Sequence, residues 1–217
     1  MYFNIHTHYS ANEADSTVSI RSFYSDFAHA SSGILCSLGL HPWYLKNYEQ
    51  PLKELKQFVG LPNVLAIGEC GLDKVCQTDW ALQIAVFRCQ IKLANELNKP
   101  LIIHCVRAFD EFLKIIDENP PAVPVIVHGF NKKGGISERL LEKGMYLSFG
   151  AAILNKESPA AGVLKLIRAD KFFLETDDAD IPIGDIYRAT AAIREISEEA
   201  VILQVQQNFA TVFKYNK

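Results

Sequence analysis

Short apolar segments of strand length alternate along the chain with longer segments of helical spacing, and this alternation constrains the fold more than any other feature. Eight of the short segments are rich in Val, Ile, Leu and Phe, as expected of strands buried on both faces. They are Tyr2–His6, Thr17–Phe23, Ile34–Leu38, Val64–Gly68, Leu101–Cys105, Val123–His128, Met145–Ser148 and Phe172–Glu175. Eight strands with helices between most of them predict an α/β protein with a (β/α)8 TIM-barrel-like fold, and a doubly wound open sheet is the alternative.

The clearest helical segment is Trp80–Leu97, in which apolar side chains recur at roughly helical spacing. Thr78 or Asp79 can cap its first turn, and Asn98 marks its end. Shorter helices are predicted over Asp110–Asp117, Ile136–Lys143, Ala160–Arg168, Asp185–Ile196 and Glu198–Phe213. We expect the last of these to break near Asn208.

The length and charge of the chain limit the number of domains and the kinds of ligand that we expect. The 217 residues are enough for one good core, so we predict a single domain over residues 1–217. Between Thr7 and Leu38 there is little room for two full helices, so we expect the first quarter of the barrel to be trimmed. Lys and Arg number 22 and Asp and Glu 25, a net charge of −3, so contact with a polyanion would need a local basic patch or a metal.

The five cysteines and the hydropathy pattern indicate the cellular compartment of the protein. None of the cysteines are spaced C-x-x-C, and an odd number is a poor disulfide framework, so we expect reduced thiols and no zinc held by thiolates. No apolar run reaches the ~18 residues needed to cross a bilayer. The first residues do not resemble a secretory signal. We therefore expect a cytoplasmic protein without membrane contact and without an obligate protein partner.

Titratable side chains stand at the ends of the apolar segments. In the H-x-H pair of His6 and His8, two residues separated by one on a strand project to the same side and can bind a single ion. The other groups end or directly follow a strand and are Glu69, His104, His128 and Asp177. Because the carboxyl ends of parallel strands share one edge of the sheet, we expect all six groups to converge there.

The chemistry of this donor set indicates a pair of metals. Four imidazoles and two carboxylates suit Zn²⁺, Mn²⁺, Fe²⁺ or Ni²⁺ better than Ca²⁺. Six ligands are too many for one tetrahedral site with an open position. They suit two ions about 3.5–4 Å apart that share a carboxylate or hydroxide. His41 also lies past a strand, where it belongs either to a turn or to the site, whereas His29 is predicted to be a surface residue.

Six motifs match a known family in the family's order and cover nearly the whole chain. They are His6-Thr7-His8, Gly39-Leu40-His41-Pro42, Ile67-Gly68-Glu69-Cys70-Gly71-Leu72-Asp73, Ile102-Ile103-His104-Cys105, Val127-His128-Gly129-Phe130 and Leu174-Glu175-Thr176-Asp177. On these motifs the sequence resembles the TatD-like metal-dependent hydrolases, within the amidohydrolase-like group of TIM barrels.

The resemblance implies a divalent-metal hydrolase of phosphoester bonds, commonly a deoxyribonuclease acting on DNA ends. It assigns one metal to His6, His8 and Asp177, the other to His104 and His128, and a bridging carboxylate to Glu69. The two ions could be Mg²⁺, Mn²⁺, Zn²⁺ or Ni²⁺. In the mechanism that we expect, water bound to the metal loses a proton and attacks phosphorus, with Asp177 as general base.

The sequence departs from the family pattern at four places. Asn4 replaces a usual Asp, Val106 replaces a usual Arg, and Asp178 stands where a Pro follows the final Asp. The segment between the H-x-H pair and the G-x-H-P motif is short. All but the first departure concern the substrate side. We therefore predict metal hydrolysis more firmly than DNA as the substrate.

Two residues are predicted to contact the substrate, which is a phosphoester such as a DNA end. They are His41 and Arg107, and Lys74, Lys132 and Lys133 are further candidates for phosphate contacts. Two alternatives stay open: a metal amidohydrolase or esterase on the same barrel, and a barrel that binds metal without catalysis. No strand ends in the carboxylate-bridging Lys that is common in amidohydrolases, which counts against the former.

Overall fold

The structure, a computed structural model, describes residues 1–9 and 17–215. Its eight strands are β1 (Tyr2–Thr7), β2 (Thr17–Phe23), β3 (Cys36–Leu38), β4 (Val64–Asp73), β5 (Leu101–Val106), β6 (Val125–Val127), β7 (Tyr146–Phe149) and β8 (Phe172–Leu174). Each predicted strand is confirmed. The fourth continues five residues beyond the predicted end at Gly68, because its second half pairs in parallel with β5 as far as Asp73 and Val106.

Seven α-helices accompany the strands. They are α1 (Glu49–Phe58), α2 (Trp80–Leu97), α3 (Phe109–Glu118), α4 (Gly134–Glu142), α5 (Pro159–Leu166), α6 (Ile183–Arg194) and α7 (Glu198–Phe213). The predicted break of the last helix is wrong. Asn208 is buried in an unbroken α7 and donates hydrogen bonds of 2.9 Å to the carbonyls of Ala169 and Phe172, so tertiary contacts overcome its low helix propensity.

The order of the strands decides between the two predicted folds. Hydrogen-bonded neighbours in the sheet follow chain order from β1 to β8. A parallel bridge also joins Thr7, at the end of β1, to Asp177, just past β8. This is the strand order of a (β/α)8 barrel, whereas a doubly wound sheet reverses its order at a switch point.

In the described residues the connection between β2 and β3 contains no full helix, as predicted. A short 3-10 helix, Phe27–Ser32, takes the place of an α-helix between β2 and β3. Residues 10–16, between β1 and β2, lie outside the described part. Within the described residues no α-helix precedes Glu49.

Two compact units can be distinguished by their internal contacts, and the predicted single domain stays a prediction. The terminal unit comprises Met1–Arg21 and Val127–Lys217. In its core Phe3 packs on Phe209 with 4.7 Å between ring centroids. The hydroxyl of the buried Tyr187 accepts from the Phe3 amide at 3.0 Å and donates to the Phe3 carbonyl at 2.9 Å. These contacts fix the strand that leads to His6.

The middle unit comprises Ser22–Ile126 and is built on β4, β5 and α2. Gly71 allows a close approach of the two strands, because a Cβ at this residue would lie 2.0 Å from the carbonyl oxygen of His104. The φ of Gly71 is +144°, in the region that favours glycine. None of the helices in the described part has both the length and the apolar character needed to span a membrane.

Candidate metal centre

The first ligand group lies in the terminal unit and consists of His6, His8 and Asp177. The backbone holds them together: Asp177 donates to the His6 carbonyl at 3.0 Å and its own carbonyl accepts from the His8 amide at 3.1 Å. The Asp177 Oδ1 atom lies 3.3 Å from His6 Nε2 and 3.4 Å from His8 Nε2. The two imidazole rings are nearly perpendicular, at 85°. Three donor atoms therefore point at one small volume, as the H-x-H spacing predicts.

Electrostatics favour the ionised form of Asp177. Burial alone would raise the pKa of this carboxyl, but hydrogen bonds with His6 and His8, together with the charge of the nearby His128, hold its pKa well below the ordinary value. A carboxylate that stays ionised is suited to bind a cation. Its backbone adopts a left-handed conformation with φ of 54°, which turns the chain sharply after β8.

His128 and Glu175 adjoin this group. The His128 ring centroid lies 4.4 Å from that of His6, and His128 Nδ1 lies 3.4 Å from Glu175 Oε1. The same oxygen accepts from the Gly129 amide at 2.6 Å. The other carboxylate oxygen of Glu175, Oε2, is buried and has no hydrogen-bond partner among residues 1–9 and 17–215. Glu175 is part of a family motif in the sequence, but it was not among the predicted site residues.

Asn4, the first departure from the family pattern, has a structural role. Its side-chain amide donates to Thr176 Oγ1 at 2.9 Å, and its oxygen accepts from the Thr176 backbone amide at 3.1 Å. Both residues are buried. Asn4 thus fixes the residue next to Asp177, and it does so without a charge.

The second ligand group lies in the middle unit and consists of Glu69, His104 and His41. Glu69, in β4, is only 3% exposed. Its Oε1 atom lies 2.7 Å from His104 Nδ1 and 3.1 Å from His41 Nε2. The donor atoms of the three residues all lie within 4.8 Å of one another.

Asp73 orients His104 from the other side of the ring. Its Oδ2 lies 2.9 Å from His104 Nε2 and accepts from the Trp43 indole at 2.6 Å, while Oδ1 accepts from the Val75 amide at 2.7 Å. Burial would raise the pKa of Asp73, but these hydrogen bonds lower it below its usual value. A carboxylate that accepts the Nε2 proton leaves Nδ1 as the nitrogen available to a metal.

His41 is assigned to a different role by its own contacts. Its Nδ1 accepts from the Trp43 backbone amide at 3.1 Å, so a neutral ring carries its proton on Nε2 and donates it toward Glu69. His41 in this arrangement is a hydrogen-bond donor. Its predicted contact with the substrate stays a prediction.

Two glutamines of α2 hold the backbone at Leu40, next to His41, and at Asp73. Gln90 accepts from the Leu40 amide at 2.7 Å and donates to the Leu40 carbonyl at 3.1 Å, which fixes the residue before His41. Gln83 accepts from the Asp73 amide at 2.8 Å and donates to its carbonyl at 3.1 Å. Both side chains are buried although the residues are polar. Two glutamines seven residues apart lie on one face of a helix, and this spacing could have indicated their positioning role from the sequence.

The predicted phosphate contacts differ in their surroundings. Arg107 lies just past β5, is exposed and forms no ion pair with any residue of the described part. Lys74 is engaged elsewhere, because its Nζ lies 2.5 Å from Glu111 Oε1 and over the Trp80 ring. Lys132 and Lys133 directly precede α4.

The structure thus brings the six predicted ligands into two groups. His128 joins His6, His8 and Asp177 in the terminal unit, and Glu69 joins His104 in the middle unit. Imidazole nitrogens and carboxylate oxygens at these separations suit divalent first-row metals, so the residues fit the predicted cofactor. The division of ligands between two ions and the bridging role of Glu69 stay predictions.

Comparison with known proteins decides the family, because the family model described as TatD related DNase matches residues 12–214. The chain belongs to the TatD related DNase family. An uncharacterized metal-dependent hydrolase of Buchnera aphidicola (subspecies Baizongia pistaciae) is 28% identical over 203 residues, covering 86% of this chain and 77% of that protein. A relative from Erwinia billingiae, named 3'-5' ssDNA/RNA exonuclease TatD, is 31% identical over 64% of this chain and 55% of its own length.

Solved structures of the TatD family confirm the fold. A TatD homologue from Escherichia coli K12 superposes with a TM-score of 0.84 at 20% identity, covering 99% of this chain and 98% of that one. A TatD family hydrolase from Entamoeba histolytica gives 0.83 at 16% identity, covering 98% and 97%. The predicted TIM-barrel-like fold and the predicted family are both confirmed. Several curated relatives are longer, and the match spans 58% of a metal-dependent hydrolase from Bacillus subtilis that is 34% identical over 66% of this chain.

Proposed function

We propose that this chain is a divalent-metal-dependent phosphodiesterase that hydrolyses DNA from its ends. The observation that carries the proposal is the pair of histidine–carboxylate groups in a TatD-family chain. His6, His8 and Asp177 form one group, and Glu69 and His104 form the other. Relatives named single-stranded DNA/RNA exonucleases support nucleic acid as the substrate.

The proposal assigns the ligands as the family resemblance implies. His6, His8 and Asp177 hold one ion, and His104 and His128 hold the other. Glu69 is shared by both ions. When bound, such ions act as Lewis acids on the phosphate and lower the pKa of water toward ~7. Metal charge also explains how a chain with a net charge of −3 can act on a polyanion.

The protein's own residues supply proton transfer and orientation. Asp177 is ionised and lies 3.3 Å and 3.4 Å from two imidazole nitrogens, so its carboxylate is placed to accept the proton of the attacking water. His41 presents an Nε2 proton that can be donated to a phosphate oxygen in place of Glu69. Arg107, exposed and unpaired among the described residues, supplies a fixed positive charge just past His104 for a neighbouring phosphate.

The test is a nuclease assay on a 5'-labelled single-stranded oligonucleotide. Activity should disappear with EDTA and return with Mn²⁺ or Mg²⁺. Glu69→Gln should lower kcat by about 100-fold or more while thermal unfolding changes little. Glu138→Gln, the same change at an exposed position of α4, should leave kcat unaltered.

Two results would contradict the proposal. One is normal turnover by Glu69→Gln with added metal, which would remove Glu69 from the ligand set. The other is hydrolysis of p-nitrophenyl acetate without hydrolysis of any phosphodiester, which would favour the esterase alternative. A double variant, His6→Ala with His8→Ala, should also bind less metal by elemental analysis, and unchanged stoichiometry would remove both histidines from the list.

A further inference from the structure

Trp43 has a half-exposed side chain that nevertheless forms a hydrogen bond with a buried carboxylate. The residue belongs to the short 3-10 helix Pro42–Tyr44 and is 52% exposed. Its indole N–H donates to Asp73 Oδ2 at 2.6 Å, although the Asp73 side chain is only 1% exposed. Phenylalanine would offer a similar apolar ring at this position, so the N–H group is what distinguishes tryptophan here.

The carboxylate oxygen that accepts from the indole also faces His104. Asp73 Oδ2 lies 2.9 Å from His104 Nε2, and Oδ1 accepts from the Val75 amide at 2.7 Å. A carboxylate oxygen has lone pairs for two donors, so the indole and the imidazole can bond to it together. The donors from Trp43 and Val75 hold the plane of the carboxylate. A lone pair of Oδ2 is thereby directed at His104 Nε2.

The backbone of Trp43 contacts the other histidine of this region. Its amide donates to His41 Nδ1 at 3.1 Å. The ring centroids of His41 and His104 are 4.5 Å apart. Glu69 Oε1 lies 3.1 Å from a nitrogen of the first ring and 2.7 Å from a nitrogen of the second. Trp43 therefore orients both rings, the first directly and the second through Asp73.

We propose that Trp43 is a positioning residue of the second ligand group, whose indole N–H holds Asp73 against His104 Nε2 and so keeps His104 Nδ1 available to a metal ion. The inference rests on the proposed function and adds to it a residue that acts through another. Such coupling is reciprocal. An imidazole bound to a cation is a stronger donor at its other nitrogen, so the shared Asp73 oxygen accepts less strongly from the indole when an ion is present.

Proton–nitrogen correlation NMR of the indole groups tests this coupling without any substrate. The chain has two tryptophans, so Trp80→Phe identifies the indole peak of Trp43. Adding Zn²⁺ to the metal-free protein should shift the Trp43 peak more than the Trp80 peak, and His104→Asn should abolish that shift. A Trp43 peak that stays in place when Zn²⁺ binds, or that shifts equally in His104→Asn, would overturn the proposal.

Calorimetric titration with Zn²⁺ measures the effect of Trp43 on metal affinity. Trp43→Phe keeps an aromatic ring and removes the N–H donor. Loss of a partner of a metal-bound histidine costs about 10- to 100-fold in metal affinity, and Asp73 keeps two of its three donors in this variant, so we expect a loss of about 3- to 10-fold. Trp80→Phe, the same change at the first residue of α2, is the matched control and should retain wild-type affinity. Lower thermal stability of Trp43→Phe with unchanged Zn²⁺ affinity would show a merely structural role and overturn the proposal.

A double-mutant cycle shows whether Trp43 acts through Asp73. Asp73→Ala removes the shared acceptor, so adding Trp43→Phe to it should cost no further Zn²⁺ affinity. Equal losses with and without Asp73 would mean that Trp43 acts by another route and would overturn the proposal. The NMR and calorimetric comparisons above do not depend on the folding of Asp73→Ala.

Hydrolysis of the labelled oligonucleotide is measured separately, so that the two proposals fail separately. Weaker Zn²⁺ binding by Trp43→Phe, in a protein that hydrolyses no phosphodiester, would support the role of Trp43 and overturn only the proposed function. Normal hydrolysis together with an unchanged Zn²⁺ affinity in Trp43→Phe would overturn the role of Trp43 alone.

Discussion

Asp73→Asn is the substitution whose effect follows most directly from the site geometry. The Asp73 side chain is 1% exposed and faces three donors. Oδ1 accepts from the Val75 amide, and Oδ2 faces both the Trp43 indole and His104 Nε2. The asparagine amide must place its NH₂ group against at least one of these donors in either orientation.

The magnitude follows from the number of bonds lost. A buried donor without an acceptor costs about 1–3 kcal/mol, and a hydrogen bond to a charged group contributes about 1.5–3 kcal/mol. Asn retains one or two of the three bonds, so we expect Asp73→Asn to lower the free energy of unfolding by about 2–4 kcal/mol. In either orientation the His104 ring also loses the negative charge that its Nε2 faces, so its tautomer is held less firmly. Metal affinity should fall about 10- to 100-fold.

Urea unfolding measures the first effect, and calorimetric titration with Mn²⁺ or Zn²⁺ measures the second. Asp79→Asn is the control, because Asn caps a helix as well as Asp and the exposed Asp79 makes one such bond. It should change stability by less than ~0.5 kcal/mol. Asp73→Asn with wild-type metal affinity would refute the argument that Asp73 orients His104.

Three further predictions concern positions away from the metal ligands. Tyr187→Phe removes a hydroxyl that bonds both the amide and the carbonyl of Phe3, so urea unfolding should show a loss of about 2 kcal/mol; no loss would contradict this pairing. Gln90→Leu leaves both backbone groups of Leu40 unpaired, so it should destabilise by about 2 kcal/mol and lower kcat, and normal kcat would show that the segment holds His41 unaided. Burial raises the pKa of the Cys36 thiol to about 11. The unfolded chain loses this proton first, near pH ~8.5. Stability is therefore lost as pH rises toward 11, and the wild type should lose roughly 2–3 kcal/mol relative to Cys36→Ala between pH 8 and 11 in urea titrations. A constant difference would contradict the raised pKa.

The strands were predictable because strands buried on both faces leave continuous apolar segments in the sequence. Strand ends were predictable to within a few residues. The predicted end of β4 was five residues too early, because the extension of this strand depends on pairing with β5. The continuous α7 could not be predicted, since Asn208 is stabilised by carbonyls 36 and 39 residues away in the chain. Local propensity carries no information about such partners.

In the candidate site too, some residues could be predicted from the sequence and others could not. His6, His8 and Asp177 were predictable because the ends of parallel strands meet at one edge of a sheet. The residues that orient the ligands were not, because their partners are distant in sequence: Asp73 bonds His104 from 31 residues away, and Gly129 bonds Glu175 from 46. A buried polar side chain on an apolar helix face, as at Gln83, is the clue that sequence reasoning can use in other chains.

The proposed function requires two divalent ions at the histidine–carboxylate groups. An anomalous difference map at the manganese edge, from crystals grown with Mn²⁺, tests it most directly. We expect one peak in contact with His6, His8 and Asp177, a second in contact with His104 and His128, and Glu69 in contact with both. A map without a peak at either group, from protein active in the same solution, would contradict it.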